Sequence, residues 1–287
     1  MNKLEISIVL PAKNEAASLS MLLPSLKTHF PHAEIIVVND GSTDDTALVA
    51  SKSQVTVINH PHSLGNGASI KAGARHAKHD TLVLMDADGQ HPIDSIKILL
   101  QQYLMGYSMV VGARSKCDQA SLLRWFGNTF YNKLASWIVR RPVKDLTSGL
   151  RVVNKKKFLK FLHLLPNGFS YPSTITMAFF RTGYPVDYVD VKVNKRVGKS
   201  HLKPLTDGLR FLIIIYKVAT LYSPLKVFIP IAFIHFIIAL VYFAYNGHLT
   251  YLSTILFSAS IIIFLIGLVS EQITTLMYQY DSHENSL

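Results

Sequence analysis

Asp86 and Asp88 stand two positions apart in the run Leu84-Met85-Asp86-Ala87-Asp88-Gly89-Gln90-His91, where an apolar, strand-like stretch gives way to a loop. Carboxylates so spaced at the carboxyl end of a buried strand can address one divalent cation. Mg²⁺ or Mn²⁺ held there would neutralise charge building on a departing diphosphate. A second acidic loop, Val38-Asn39-Asp40-Gly41-Ser42-Thr43-Asp44-Asp45-Thr46, offers Asp40 as an acceptor for a base N–H or a ribose hydroxyl, with Gly41 freeing the backbone. Residues 42–45 can equally cap the helix that follows, and both roles can hold at once. Pro11-Ala12-Lys13-Asn14-Glu15 ends the first apolar run in a rigid turn facing the same crevice. The glycines of Leu64-Gly65-Asn66-Gly67 would let a third loop bring its backbone close to a ligand.

An isolated Asp-x-Asp carries little weight; the elements around it give it a place. Short β-branched runs over 5–11, 33–40, 55–59, 81–88 and 108–114 read as strands. Helical patterns at 16–30, 43–52, 67–78 and 92–105 alternate with them, which predicts a mostly parallel sheet flanked by helices. Further on, helices are expected over 122–139 and 172–182, and a strand over 184–195 closes the soluble part. Leu122, Phe126, Phe130, Leu134 and Trp137 recur at helical spacing, so this helix can pack on the sheet or lie on a membrane surface. In a helix over 205–223 the charges Asp207, Arg210 and Lys217 gather on one side, which favours an interfacial position.

Hydrophobic residues make up 49% of the 287 and charged residues 16%. The apolar excess lies between positions 227 and 270, which contain no Asp, Glu, Lys or Arg. Stretches 228–245 and 251–269, joined at Asn246-Gly247-His248, are each close to the roughly 20 residues that a bilayer-crossing helix needs. A transmembrane hairpin over 225–270 is expected, with a tail over 271–287. The net charge of +11 sits almost wholly before the hairpin, which puts residues 1–225 on the cytoplasmic side. No nucleic-acid motif accompanies that charge, and anionic lipid is an adequate partner for it. No leader of signal-peptide type precedes the first strand. Cys117, the one cysteine, allows no intrachain disulfide. The histidines at 29, 32, 60, 62, 76 and 79 have no metal-ligand spacing, and His235 in the first span reads as a packed neutral residue.

The segments PAKNE, VNDGSTDDT, GNGASIKAGARHA, DADGQH and VGAR occur in that order. Together they resemble glycosyltransferase family 2 over about residues 4 to 200. Asp145-Leu146-Thr147-Ser148-Gly149-Leu150-Arg151, the basic 196–203 segment and the two spans make the chain similar to the polyprenyl-phosphate sugar transferases of that family, the dolichol-phosphate mannose synthase and bactoprenol glucosyltransferase type.

The resemblance implies a GT-A Rossmann-like α/β domain over 1–204 that uses Mg²⁺ or Mn²⁺, a nucleotide diphosphate sugar and a polyprenyl phosphate. It implies that Pro11, Ala12, Asn14, Glu15 and Asp40 hold the nucleoside, that Asp86 reaches ribose or metal, and that Asp88 and Gln90 ligate the metal. It further implies that Arg114, Arg151, Arg196 and Lys199, with His201 and Lys203, face phosphates of donor or acceptor. Asp145 would orient the acceptor or pair with Arg151. Chemistry independently favours a phosphate acceptor. A hydroxyl needs a positioned base near neutral pH. A phosphate monoester, with a second pKa near 6, is already anionic and needs cations instead. Direct displacement with inversion is then expected, at a bacterial inner membrane, with undecaprenyl phosphate favoured over dolichol phosphate. Homo-oligomers through the hairpins are compatible with this.

Two other readings stay open at this level. A processive polysaccharide synthase would carry a Gln-x-x-Arg-Trp motif, but Ser121 stands where that glutamine would precede Arg124-Trp125, and two spans cannot enclose a polymer. A non-catalytic, nucleotide-binding membrane subunit of a lipid-sugar flippase or transferase complex would have no need of intact Asp86, Asp88 and Gln90.

Overall fold

The computed structural model of the chain describes residues 4–114, 122–168, 170–193, 216 and 219–283. The chain divides into two compact units, Met1–Pro204 and Leu205–Leu287. In the first, seven strands form one sheet: β1 (Ile6–Ala12), β2 (Glu34–Asn39), β3 (Thr56–Asn59), β4 (Thr81–Leu84), β5 (Met109–Arg114), β6 (Arg151–Asn154) and β7 (Val186–Val191). Their order is β3-β2-β1-β4-β6-β5-β7. β1 pairs in parallel with β2 and β4, β2 with β3, and β5 with β7. β6 lies antiparallel between β4 and β5.

Among the described residues seven helices belong to this unit: α1 (Ala16–His29), α2 (Thr46–Lys52), α3 (Asn66–His76), α4 (Ile93–Tyr103), α5 (Leu122–Val139), α6 (Lys155–Lys160) and α7 (Tyr171–Arg181). Every residue of β1 is buried, as its near-continuous apolar run requires of a strand covered on both faces. Ile8, Leu10, Val37, Val83, Val110 and Val152 from the strands pack with Leu19, Leu23 and Leu26 of α1. The chain runs outward from β1 to β3 and then crosses back to β4 on the other side of β1. Such a reversal of strand order opens a crevice beyond the carboxyl ends of the strands, here β1 and β4.

Several expectations shift in detail. β4 ends at Leu84, four residues short of the expected end, because the chain turns away after Met85 N donates to Val9 O at 3.2 Å. β7 is shorter than 184–195, and residues 194 and 195 lie outside the described ones. β6 and α6 were not foreseen. α5 forms as expected; it buries Tyr131, Ala135 and Ile138 and leaves Phe130 and Trp137 more than half exposed. Of 205–223, only Tyr216 and residues 219–223 are described.

The second unit carries α8 (Pro224–Asn246) and α9 (Tyr251–His283), joined through Gly247 in the left-handed conformation, φ 69°. Stretches Pro224–Asn246 and Tyr251–Leu276 are long and apolar enough to cross a membrane, and only 11% and 17% of their most apolar windows are buried. A helix pair in a soluble core would hide those faces. α9 continues past position 270, through the first part of the expected tail, to His283. Glu271 Oε2 accepts a bond from Leu225 N at 3.3 Å, so it caps the start of α8.

Candidate active site

The first two loops at the crest are laced to each other. Asn14, held at φ 56°, donates its backbone N–H to Ser42 Oγ at 3.0 Å and accepts from Thr43 N through Oδ1 at 2.8 Å. Glu15 N donates to Thr46 Oγ1 at 2.9 Å and Ala16 N to Asp44 Oδ2 at 3.2 Å. Pro11 and Ala12 are buried positions of β1, and the Ala12 carbonyl accepts from Asp40 N at 2.9 Å.

Asp40 is engaged from within the chain. Its Oδ1 meets His60 Nδ1 at 2.9 Å and Leu64 N at 2.7 Å, and its Oδ2 meets Ser63 Oγ at 2.7 Å and Gly65 N at 2.9 Å. Four partners occupy the acceptor positions of this carboxylate within the chain. Asp40 therefore fastens the 60–65 loop. Burial opposes its charge, but the four bonds outweigh burial and bring its pKa down to about 2. A carboxyl shifted below its unfolded value stabilises the fold above about pH 4, and that contribution is lost as pH falls through the folded value. We expect Asp40→Asn to remove about 2 kcal/mol of stability near neutrality. Thermal unfolding followed from pH 6 to pH 2 should show the wild-type advantage vanish across the lower half of that range; an equal gap throughout would contradict it.

The third loop's glycines face protein, not ligand. A Cβ on Gly67 would come within 2.1 Å of Pro166 O, and one on Gly65 within 2.5 Å of Asn167 O. Gly67 N and Ala68 N donate to Gly168 O and Asn167 O, and Lys71 Nζ reaches Leu165 O at 3.0 Å and Asn167 Oδ1. The close backbone approach expected for a ligand is made by residues 165–168, which cap α3.

The crest after β4 keeps its carboxylates at the crevice. Asp86, Asp88 and Gln90 are all half-buried, and Asp88 Oδ1 accepts from Gln90 N at 3.1 Å across Gly89, φ 70°. Asp86 Oδ1 accepts from Asn66 Nδ2 at 3.3 Å. Its Oδ2 lies so close to Gly149 that a Cβ there would be 2.3 Å away. The 145–151 segment thus forms the floor under Asp86, which sequence spacing did not reveal.

That floor is fastened at both ends. Asp145 pairs with Arg114 and not, as one expectation had it, with Arg151: Arg114 Nε donates to Asp145 Oδ2 at 2.8 Å and Nη2 to Oδ1 at 3.0 Å. Burial works against both charges, and the bidentate pair outweighs it, holding the Asp145 carboxyl below the usual range and the Arg114 guanidinium above its own. At the other end Arg151 is fully buried. Its Nε and Nη2 donate to Ser148 O at 3.0 and 2.7 Å, and its Nη1 to Pro172 O at 3.0 Å and Thr176 Oγ1 at 2.8 Å. Every guanidinium nitrogen of Arg151, expected to face a phosphate, donates here to the protein's own oxygens. Arg196, Lys199, His201 and Lys203 lie outside the described residues.

The donor set bears on which cation could fit. Among the described residues no three His, Cys, Asp or Glu side chains converge on a metal position. Two carboxylates and an amide oxygen suit a hard cation such as Mg²⁺ or Mn²⁺ that takes its remaining ligands from phosphate and water, and do not suit an all-protein cage.

A mostly parallel sheet with its acidic crest at the point of strand reversal, and β6 inserted antiparallel beside it, defines a GT-A-type fold. The chain belongs to glycosyl transferase family 2, whose profile matches residues 7–162. Residues 223–276 match the GtrB C-terminal hairpin. CsbB of Bacillus subtilis is 31% identical over 55% of this chain and 51% of its own length. The dolichyl-phosphate beta-glucosyltransferase ALG5C of Trichomonas vaginalis is 26% identical over 52% of each chain. An undecaprenyl-phosphate 4-deoxy-4-formamido-L-arabinose transferase of Shewanella sediminis is 29% identical over 58% of this chain and 55% of its own. The chain thus spans about half the length of these relatives. In fold it is similar to glucosyl-3-phosphoglycerate synthase from Mycobacterium tuberculosis, solved with Mn²⁺, UDP and phosphoglyceric acid: TM-score 0.61, 20% identity, 76% of this chain and 79% of that one.

Proposed function

We propose that the protein is an inverting, divalent-metal-dependent glycosyltransferase that moves a hexose from a UDP- or GDP-linked donor to a polyprenyl phosphate, with undecaprenyl phosphate the favoured acceptor. The observation that carries this is the half-buried Asp86-Asp88-Gln90 crest at the strand reversal, in a chain that also bears two outwardly apolar helices. Relatives named for dolichyl-phosphate and undecaprenyl-phosphate transfer support the acceptor class. The basic charge that precedes the hairpin supports a cytoplasmic face, and a bacterial inner membrane follows from the choice of acceptor.

A bound Mg²⁺ or Mn²⁺ would supply charge neutralisation at the diphosphate. Asp88 and Gln90 would hold it, with Asp86 beside them reaching metal or ribose. Asn14 and Glu15 would border the nucleoside. The acceptor phosphate oxygen forms the new bond to the anomeric carbon as the bond from that carbon to the diphosphate breaks, and the electron pair leaves with the nucleotide. No proton has to be removed from the acceptor, so no general base is required. Arg114, one-third exposed, keeps Nη1 outside its bonds to Asp145 and Thr147 and would present it to a phosphate. Arg196, Lys199, His201 and Lys203 would attract the lipid phosphate.

The full chain in detergent, incubated with polyprenyl phosphate, Mn²⁺ or Mg²⁺ and a panel of UDP- and GDP-sugars, should yield an acid-labile glycolipid with one donor. Chelation by EDTA should stop its formation. Absence of product from every donor, or product formation indifferent to EDTA, would overturn the assignment.

A further inference from the structure

Asp86 is gripped from two sides by parts of the chain far apart in sequence. On one side Asn66 Nδ2 donates to Asp86 Oδ1 at 3.3 Å, and among the described residues this is the only hydrogen bond the carboxylate receives. On the other lies Gly149, buried, with no room for a side chain. The three heavy atoms nearest to a Cβ there would be Asp86 Oδ2 at 2.3 Å, Cγ at 2.9 Å and Oδ1 at 3.2 Å. Gly149 is not among the residues with positive φ, so its backbone conformation does not call for glycine. The carboxyl group of Asp86 does.

Both sides of the grip are fastened from behind. Ser148 Oγ donates to Gly112 O at 2.6 Å, Arg151 Nη2 to Ser148 O at 2.7 Å and Gly112 N to Leu150 O at 3.0 Å. The backbone flanking Gly149 is thereby tied to β5 and β6 and cannot recede from an added methyl group. Asn66 opens α3 between Gly65, whose N–H Asp40 Oδ2 holds at 2.9 Å, and Gly67, whose N–H donates to Gly168 O at 3.2 Å. Asn66 Oδ1 is buried without a partner, which costs stability. The amide thus serves the carboxylate and makes no bond to the loop that carries it.

A carboxylate that takes up a cation loses rotational freedom, and partners that fix its direction beforehand reduce that loss. We propose that Asn66 and Gly149 are positioning residues for the cation site, which together set the direction of the Asp86 carboxylate before a divalent cation arrives. The proposal rests on the reading of Asp86, Asp88 and Gln90 as that site. Removing the Asn66 amide releases the carboxylate, and a methyl group at 149 pushes it aside; both changes act on the same group.

Mn²⁺ binding to the full chain in detergent, read from the electron paramagnetic resonance of free Mn²⁺ with no donor or acceptor present, should weaken about 10-fold in Asn66→Ala and at least as much in Gly149→Ala. Because both act through one carboxylate, the double variant should bind little worse than Gly149→Ala alone. The metal-free unfolding midpoint of Asn66→Ala should stay within a few degrees of the wild type, while the upward shift that Mn²⁺ gives it should shrink. In an Asp86→Ala background the methyl group at 149 meets no carboxylate, so Gly149→Ala should cost no stability there. Unchanged Mn²⁺ affinity in Asn66→Ala, or losses that multiply in the double variant, would overturn the inference. So would a stability cost of Gly149→Ala that persists without Asp86. Asp88→Ala separates the two layers. If it loses Mn²⁺ binding while Asn66→Ala does not, only the positioning role falls; if it binds Mn²⁺ like the wild type, the site itself is wrong.

Discussion

Asp88→Ala is expected to lower sugar transfer by at least about 100-fold while the metal-free chain unfolds within a few degrees of the wild type. The size follows from what one preorganised group contributes to stabilising charge on a leaving group, typically a factor of 10² to 10³. The mildness toward folding follows from position: Asp88 is half-buried on a turn beyond the end of β4. Glycolipid formation and thermal unfolding measured on the same preparation would check both halves. Undiminished transfer would remove the assigned cation site, and with it the part assigned to the crest in the reaction.

Arg151→Ala should act in the opposite way, through stability first. The side chain is fully buried and its donors satisfy Ser148 O, Pro172 O and Thr176 Oγ1. Its loss leaves a cavity and unpaired acceptors, together costing about 3–5 kcal/mol. For a domain of this size that is a fall of roughly 10 °C in the unfolding midpoint. Had Arg151 touched a substrate phosphate, the variant would fold normally and lose affinity for donor or acceptor. An unchanged midpoint would return it to that role.

The difference between these two residues shows what could be read from the chain and what could not. The position of Asp86 and Asp88 just beyond a strand was legible because the end of a strand and the start of its loop are local events, written in a β-branched run followed by Asp, Gly and Pro. Strand-like runs and helical patterns through residue 114 were legible for the same reason. β6 was not: four residues give too short a period to recognise, and their antiparallel insertion between β4 and β5 is decided by contacts across long stretches of sequence. That insertion sets Arg151 opposite Leu84 and Val111, which turns a charge expected at a loop surface into a buried clamp. Gly65 and Gly67 announced a close backbone approach, but the approaching chain lies about 100 residues further on and no local signal names it. Asp40 looked like a free acceptor because His60, Ser63, Leu64 and Gly65 become its neighbours only after β2 and β3 pair.

α9 runs for 33 residues without a break. At 1.5 Å per residue it is about 50 Å long, against a hydrocarbon layer of about 30 Å. In a hairpin that crosses the bilayer, its last turns would rise out of the lipid as a stalk, on the same side as the start of α8, because Glu271 and Leu225 are bonded to each other. A fluorophore or epitope fixed to that stalk would report the sidedness of the hairpin without entering the bilayer.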